Sequence, residues 1–182
     1  MNFRAIRILA AALLASSCGL AIGQTKTTTF AVTATVVSNC FINSASAMAF
    51  GSYTPGTTVG SANVDQTSTI LVRCSNTTPY GIGLNEGSAT GSTFAPRLLK
   101  STTATASTLE YNLYTDAARS TNVWLNPATA GAAGATNQAG TGTGLGNALT
   151  HIVYGRLLDS TTSQEAVPAT DYTSTVTVTI NY

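Results

Sequence analysis

Tyr172-Thr173-Ser174-Thr175-Val176-Thr177-Val178-Thr179-Ile180-Asn181-Tyr182 is the stretch on which the fold turns. Tyr172, Ser174, Val176, Val178, Ile180 and Tyr182 fall on one face of an extended chain. Thr173, Thr175, Thr177, Thr179 and Asn181 fall on the other. Such period-2 alternation predicts a half-buried strand. Threonine is β-branched and suits the exposed face of a sheet. The pattern recurs upstream. Phe30, Val32, Ala34 and Val36 alternate with Thr29, Ala31, Thr33 and Thr35. Ile70, Val72 and Cys74 share a face of a strand over Val64 to Cys74, with Leu71 and Arg73 opposite. Tyr80 to Asn85 alternates around Ile82 and Leu84, and Leu109, Tyr111 and Leu113 share another face. Met48 to Tyr53, Val123 to Leu125 and His151 to Leu158 complete the set of expected strands. No stretch carries a long amphipathic helical repeat, so the fold class is all-β, a sandwich of short strands separated by turns.

Composition agrees. Of 182 residues, 33 are threonine and 16 glycine, 43 % are hydrophobic and only 8 % charged. A chain with ample apolar residues and a net charge near zero has the means to build a core and lacks the signature of disorder. Eight Lys and Arg against seven Asp and Glu leave no basic face for nucleic acid. Residues 101–108 and the Gly/Ala-rich segment 127–148 read as surface loops, the second as a mobile one.

Arg4 and Arg7, the apolar run Ile8 to Leu14 and the small residues Ala21 and Gly23 form a secretory signal peptide over residues 1–23. A short interfacial anchor is the bland alternative. Lipidation at Cys18 is the sharper one, but it wants a Leu-type residue at position 15, where Ala15 stands. No stretch is long enough for a membrane-spanning helix. Beyond the signal remain Cys40 and Cys74, which in an exported chain read as one disulfide. Its loop of about 35 residues would contribute roughly 3–4 kcal/mol. Two buried free thiols are the alternative, and no ligand set for a metal is evident.

Catalytic chemistry finds little support. His151, the single histidine, sits in an alternating strand and reads as a surface or boundary residue. Glu86, Glu110, Asp116 and Asp159 could supply a carboxylate pair, but any choice among so few acids is arbitrary, and turn or solvated positions explain them. Asp116 and Arg119 are placed to pair across a turn. No cofactor is implied. More telling is that alternating strands lie close to both ends of the exported chain. Exposed strand edges must be paired, internally or with a partner.

Five stretches carry a resemblance to the spore-coat-protein-U-like family, which includes the subunits of archaic chaperone–usher pili. They are the strand before Cys40, Ile70-Leu71-Val72-Arg73-Cys74-Ser75, Tyr111-Asn112-Leu113-Tyr114-Thr115-Asp116-Ala117-Ala118-Arg119, Tyr154-Gly155-Arg156, and Asp171-Tyr172 through Tyr182. The resemblance implies an immunoglobulin-like β-sandwich lacking its last strand, completed by a donor strand from another subunit. On it, residues 24–38 are a donor-strand extension, with Phe30, Val32, Ala34 and Val36 as groove-filling side chains, and residues 39–182 are the pilin domain. Cys40 and Cys74 match the family's disulfide. Tyr172, Val176, Val178, Ile180 and Tyr182 mark the strand that pairs with the chaperone. The implied partners are a periplasmic chaperone, an outer-membrane usher and neighbouring subunits. The implied product is a non-enzymatic surface pilus serving adhesion and biofilm. A self-contained secreted β-sandwich, an adhesin or coat protein binding carbohydrate or matrix, is the competing reading, in which Phe30 to Val36 pairs within its own domain. The segment 127–148 matches nothing in the family pattern.

Overall fold

The computed structural model describes residues 23–104, 107–126 and 136–182. The signal-peptide reading, Cys18 included, lies outside them except for Gly23. The chain divides into two compact units between Thr35 and Val36. In the first, residues 23–35 are exposed and carry no strand. The alternation from Phe30 to Val36 therefore forms no ladder. A period-2 pattern marks a segment suited to a sheet, but main-chain pairing takes a neighbour.

In the second unit the described residues form eight strands and one short helix. They are β1 (Cys40–Ala45), β2 (Val64–Cys74), β3 (Pro79–Leu84), β4 (Arg97–Lys100), β5 (Thr108–Tyr114), β6 (Gln138–Thr141), β7 (Leu149–Leu157), α1 (Thr161–Gln164) and β8 (Val178–Asn181). They make two antiparallel sheets, a larger one in the order β1-β2-β7-β5-β4 and a smaller one in the order β6-β3-β8. β2 and β7 are the long central pair, in register from Val64 opposite Leu157 to Val72 opposite Leu149. Their inward positions Ile70, Val72, Cys74, Val153 and Leu157 are buried, as alternation requires when one face of a sheet meets a core. Tyr80, Ile82 and Leu84 of β3 meet them from the smaller sheet.

Trp124 closes the core. It is fully buried, its indole N–H donates to Ile82 O at 2.9 Å, and its backbone N–H donates to Leu113 O at 2.8 Å, so it joins the two sheets. Beside it Arg97 is equally buried. Among the described residues no carboxylate forms an ion pair with it. Its guanidinium donates to Asn85 O at 2.9 Å, Phe94 O at 3.1 Å, Leu84 O at 3.3 Å and Trp124 O at 2.7 Å. Burial pulls its pKa down to about 10, opposed by Tyr111 and Glu86, so it stays charged at neutral pH.

Several expectations change. β1 and β4 carry too few alternating apolar residues to stand out, and β1 contains a bulge between Ile42 and Ser44, which breaks the period. Met48 to Tyr53 forms no ladder; Met48 and Phe50 are half-buried against the core instead. Val123 makes one isolated bridge, to Tyr114. Of Tyr172 to Tyr182 only Val178 to Asn181 is strand, with a bridge from Thr173 to Lys100. Exposure still alternates from Tyr172 to Val178. The Gly/Ala-rich segment is not all loop. Residues 127–135 lie outside the described residues, but Gln138 to Thr141 is β6, paired with β3. Asp159 is not a solvated acid but 1 % exposed. It accepts from Tyr53 OH at 2.5 Å, Gly56 N at 3.2 Å, Ala62 N at 3.1 Å and Gln164 Nε2 at 3.2 Å. The Tyr53 bond above all holds its pKa down at about 2.

Candidate functional site

The segment that follows β1 and the segment that precedes β8 run along opposite sides of an open groove. At one end a space of about 460 Å³ lies between Ala45–Met48 and Thr173–Val176, with Ile70, Leu84, Tyr111, Leu113 and Val153 beneath it. At the other a space of about 780 Å³ lies between Met48–Tyr53 and Ala166–Thr170, backed by Leu99, Leu109 and Leu157. Met48, Leu99, Thr173 and Ser174 line both, so the two are parts of one channel. Its floor is made by apolar residues of the core, and its walls carry Ser and Thr as well.

Both walls present free main-chain groups. β8 is an edge of the smaller sheet and β1 an edge of the larger. Among the described residues no backbone hydrogen bond is made by Ala47 through Ser52, and none by Val176. Thr175 and Thr177 bond toward the chain that follows β3: Thr175 N donates to Ser88 Oγ at 2.9 Å, Thr177 N donates to Asn85 Oδ1 at 2.7 Å, and Thr177 O accepts from Asn85 N at 3.1 Å. Unpaired edges of this kind are templates for an added strand.

The walls are held in place. Gly155 of β7 makes room for the first: a Cβ there would stand 2.1 Å from Met48 Sδ. Asp171 anchors the second. Its carboxylate accepts from Ser101 Oγ at 2.6 Å, from Thr102 N and Thr103 N at 2.9 and 3.0 Å, and from the Thr102 and Thr103 hydroxyls. These bonds, that from Ser101 first, push its pKa well below the usual carboxylate range.

Of the residues expected to pair with a chaperone, Tyr172, Val176 and Val178 line the channel. Ile180 packs into the core beside it, and Tyr182 is 51 % exposed outside it. Phe30, Val32 and Val36 are 86, 82 and 90 % exposed, and Ala34 is exposed with them. Cys40 and Cys74 are bonded to one another and lie directly opposite in the β1–β2 register. Met48, Phe50, Leu99 and Asp171 escaped the sequence reading as groove residues. Met48 and Phe50 share a face in an alternating run, which was the available signal.

The alternative chemistry is accounted for otherwise. The Asp116 carboxylate does not pair with the Arg119 guanidinium. It accepts from the backbone N–H groups of Ala118 and Arg119 and from Asn122 Nδ2. Arg119 turns instead to Asp65, at 3.6 Å, and over the Tyr154 ring, while Arg156 holds Asp65 in a two-pronged contact at 2.7 and 2.8 Å. Among the described residues no group of three His, Cys, Asp or Glu could hold a metal, and no helix is long and apolar enough to cross a membrane.

His151 is half-buried, a boundary position, with Tyr80 and Gln138 of the smaller sheet beside it. Gln138 Nε2 donates to Thr115 O and Ile152 O, which leaves Gln138 Oε1 to accept from His151 Nδ1–H at 2.9 Å. His151 Nε2 then accepts the Tyr80 hydroxyl proton at 2.8 Å. Burial lowers the His151 pKa. The folded state thus favours neutral imidazole. This contribution to stability is complete above the ordinary pKa of 6.5 and is lost as pH falls through the lower, folded value. Melting temperature should fall from pH 7 to pH 5, and His151→Gln should flatten that slope. An equal slope in both proteins would show that the histidine does not carry it.

The family model described as Spore Coat Protein U domain matches residues 26–179. No curated protein matches the chain. Among solved structures it is similar to a chain in the crystal structure of the CsuC–CsuE chaperone–tip adhesion subunit pre-assembly complex from archaic chaperone–usher Csu pili of Acinetobacter baumannii. Identity is 20 %, the TM-score is 0.48, and the match covers 81 % of this chain and 41 % of that one.

Proposed function

Since the chain belongs to the Spore Coat Protein U domain family, we propose that it is a structural, non-catalytic subunit of a surface pilus, assembled by donor-strand exchange. The observation that carries this reading is the apolar channel between two unpaired strand edges. In the proposal the exported chain starts near Gln24, residues 24–38 are the donor extension and residues 39–182 the receiving domain. A periplasmic chaperone fills the channel first. At an outer-membrane usher, Phe30, Val32, Ala34 and Val36 of a neighbouring subunit replace the chaperone strand, and the fibre serves adhesion and biofilm at the cell surface.

The energetics suffice without bond-forming chemistry. Burying Phe30, Val32 and Val36 is worth roughly 1.5–3 kcal/mol each, about 5–9 kcal/mol together. Each main-chain hydrogen bond of an added strand contributes about 0.5–1.5 kcal/mol net. Val32→Asp or Val36→Asp would place a carboxylate in the apolar channel. Each should abolish polymer while leaving a soluble chaperone complex, as read by sedimentation and electron microscopy. Normal fibres from both variants would exclude the donor role of this segment. A stable monomer with a protease-resistant N-terminal segment would favour the self-contained adhesin or coat protein.

A further inference from the structure

The Gly-rich stretch from the end of β6 onward does something its composition conceals. Gly140 lies flat on the buried ring of Tyr80, where a Cβ would stand 2.5 Å from the hydroxyl oxygen and 2.6 Å from Cζ. Gly142 lies against Cys74. A Cβ there would be 2.1 Å from Ser75 O, 2.7 Å from Cys74 Cβ and 2.9 Å from Cys74 C, all atoms with little freedom to move. Five hydrogen bonds lace this segment to the end of β2 and the turn after it. Gly142 N donates to Thr78 O at 2.8 Å, Thr77 N to Gly142 O at 2.8 Å, and Gly144 N to Cys74 O at 3.1 Å. Arg73 Nη1, reaching across from β2, donates to Leu145 O, and also to Gly146 O, each at 3.1 Å. Thr77 is kept at φ 63°, a conformation a β-branched residue rarely adopts, within this lacing. Beneath it Cys74 is 0 % exposed and Cys40 6 %.

We propose that residues 140–146 are a strap that seals the Cys40–Cys74 disulfide, so that thiol exchange at this bond requires the strap to lift. Glycine serves here for close approach to Cys74 and Tyr80, not for mobility. Exchange with a dithiol runs in two displacements. A thiolate of the reagent attacks one cystine sulfur and expels the other as a thiolate. The reagent's second thiol then displaces the first cysteine. Two electrons and two protons pass to the protein, giving two cysteine thiols and the reagent's own disulfide. The first attack needs an open line to a sulfur, which the strap denies. By the same argument, a bulky oxidant would have to reach the two thiols before the strap docks. The inference does not depend on the pilus reading.

The test is reduction of the full exported chain by dithiothreitol, with free thiols counted by alkylation and mass spectrometry, under native conditions and in guanidinium chloride. Denaturant melts of the oxidised proteins are run alongside. The folded wild type should release thiols at least about a thousandfold more slowly than the unfolded chain. Gly142→Ala, which displaces the strap from beneath, should speed native reduction about tenfold or more, beyond what its change in global stability accounts for. Arg73→Met removes the two outer hydrogen bonds without touching the core and should act in the same direction, which keeps the test decisive if Gly142→Ala does not fold. Native reduction of the wild type within about tenfold of the unfolded rate would overturn the seal. So would acceleration in the variants no larger than their loss of global stability.

Discussion

Deleting residues 24–38 leaves an oxidised protein that melts at low temperature, and adding a synthetic peptide of those residues raises the melting temperature by roughly 10–30 °C. The expectation follows from the channel. Ile70, Leu84, Tyr111, Leu113 and Val153 line it, and its walls leave main-chain groups unpaired from Ala47 to Ser52 and at Val176. A peptide that supplies an apolar face and a ladder stabilises the native state by mass action, in proportion to its affinity and concentration. At about 2–4 °C per kcal/mol for a domain of this size, the burial of three large side chains sets the scale of the shift. A Val32→Asp peptide is the control and should give little or none of it. A truncated protein that melts cooperatively at high temperature, with no response to peptide, would mean that the sandwich is complete as it stands and that the channel takes no strand.

Arg97→Met should be the most damaging single substitution in the core, costing about 3–5 kcal/mol and roughly 6–20 °C in melting temperature. Methionine matches much of the stem but donates no hydrogen bond. The carbonyls of Leu84, Asn85, Phe94 and Trp124 all lose their guanidinium donor, and a buried polar group left unpaired costs about 1–3 kcal/mol. Arg97→Lys keeps the charge but cannot fork to four acceptors, so it should also destabilise. Denaturant melts at neutral pH measure both. A loss below about 1 kcal/mol for Arg97→Met would show that these carbonyls find other partners.

How far the residues alone could take the reading varies from element to element. β2 was legible to the residue, since Ile70, Val72 and Cys74 share a buried face and the strand is paired on both sides. β3, β5 and β7 were legible within one or two residues for the same reason. β4, with Arg97 facing the core, broke the rule that inward positions are apolar. β1 hid behind a bulge. β6 hid in a composition that reads as a loop, because Gly140 and Gly142 were selected by contacts with Tyr80 and Cys74 that no local pattern reports. The channel was legible only through the alternating segment near residue 178, whose Val176 and Val178 line it.

Local stereochemistry and burial pattern are properties of the chain itself. Alternation therefore determined the all-β class, and the order and spacing of motifs determined the family. Cys40 and Cys74 called for a disulfide. What a side chain meets across the fold is decided by packing between segments far apart in sequence. Only the tertiary structure could bring Met48 and Phe50 onto Gly155, aim Arg119 at Asp65 rather than Asp116, lodge His151 between Tyr80 and Gln138, and lay Gly142 over Cys74. The open channel belongs to the same class. It is a space between two edges about 120 residues apart in the chain, and it exists only once both sheets have formed around it.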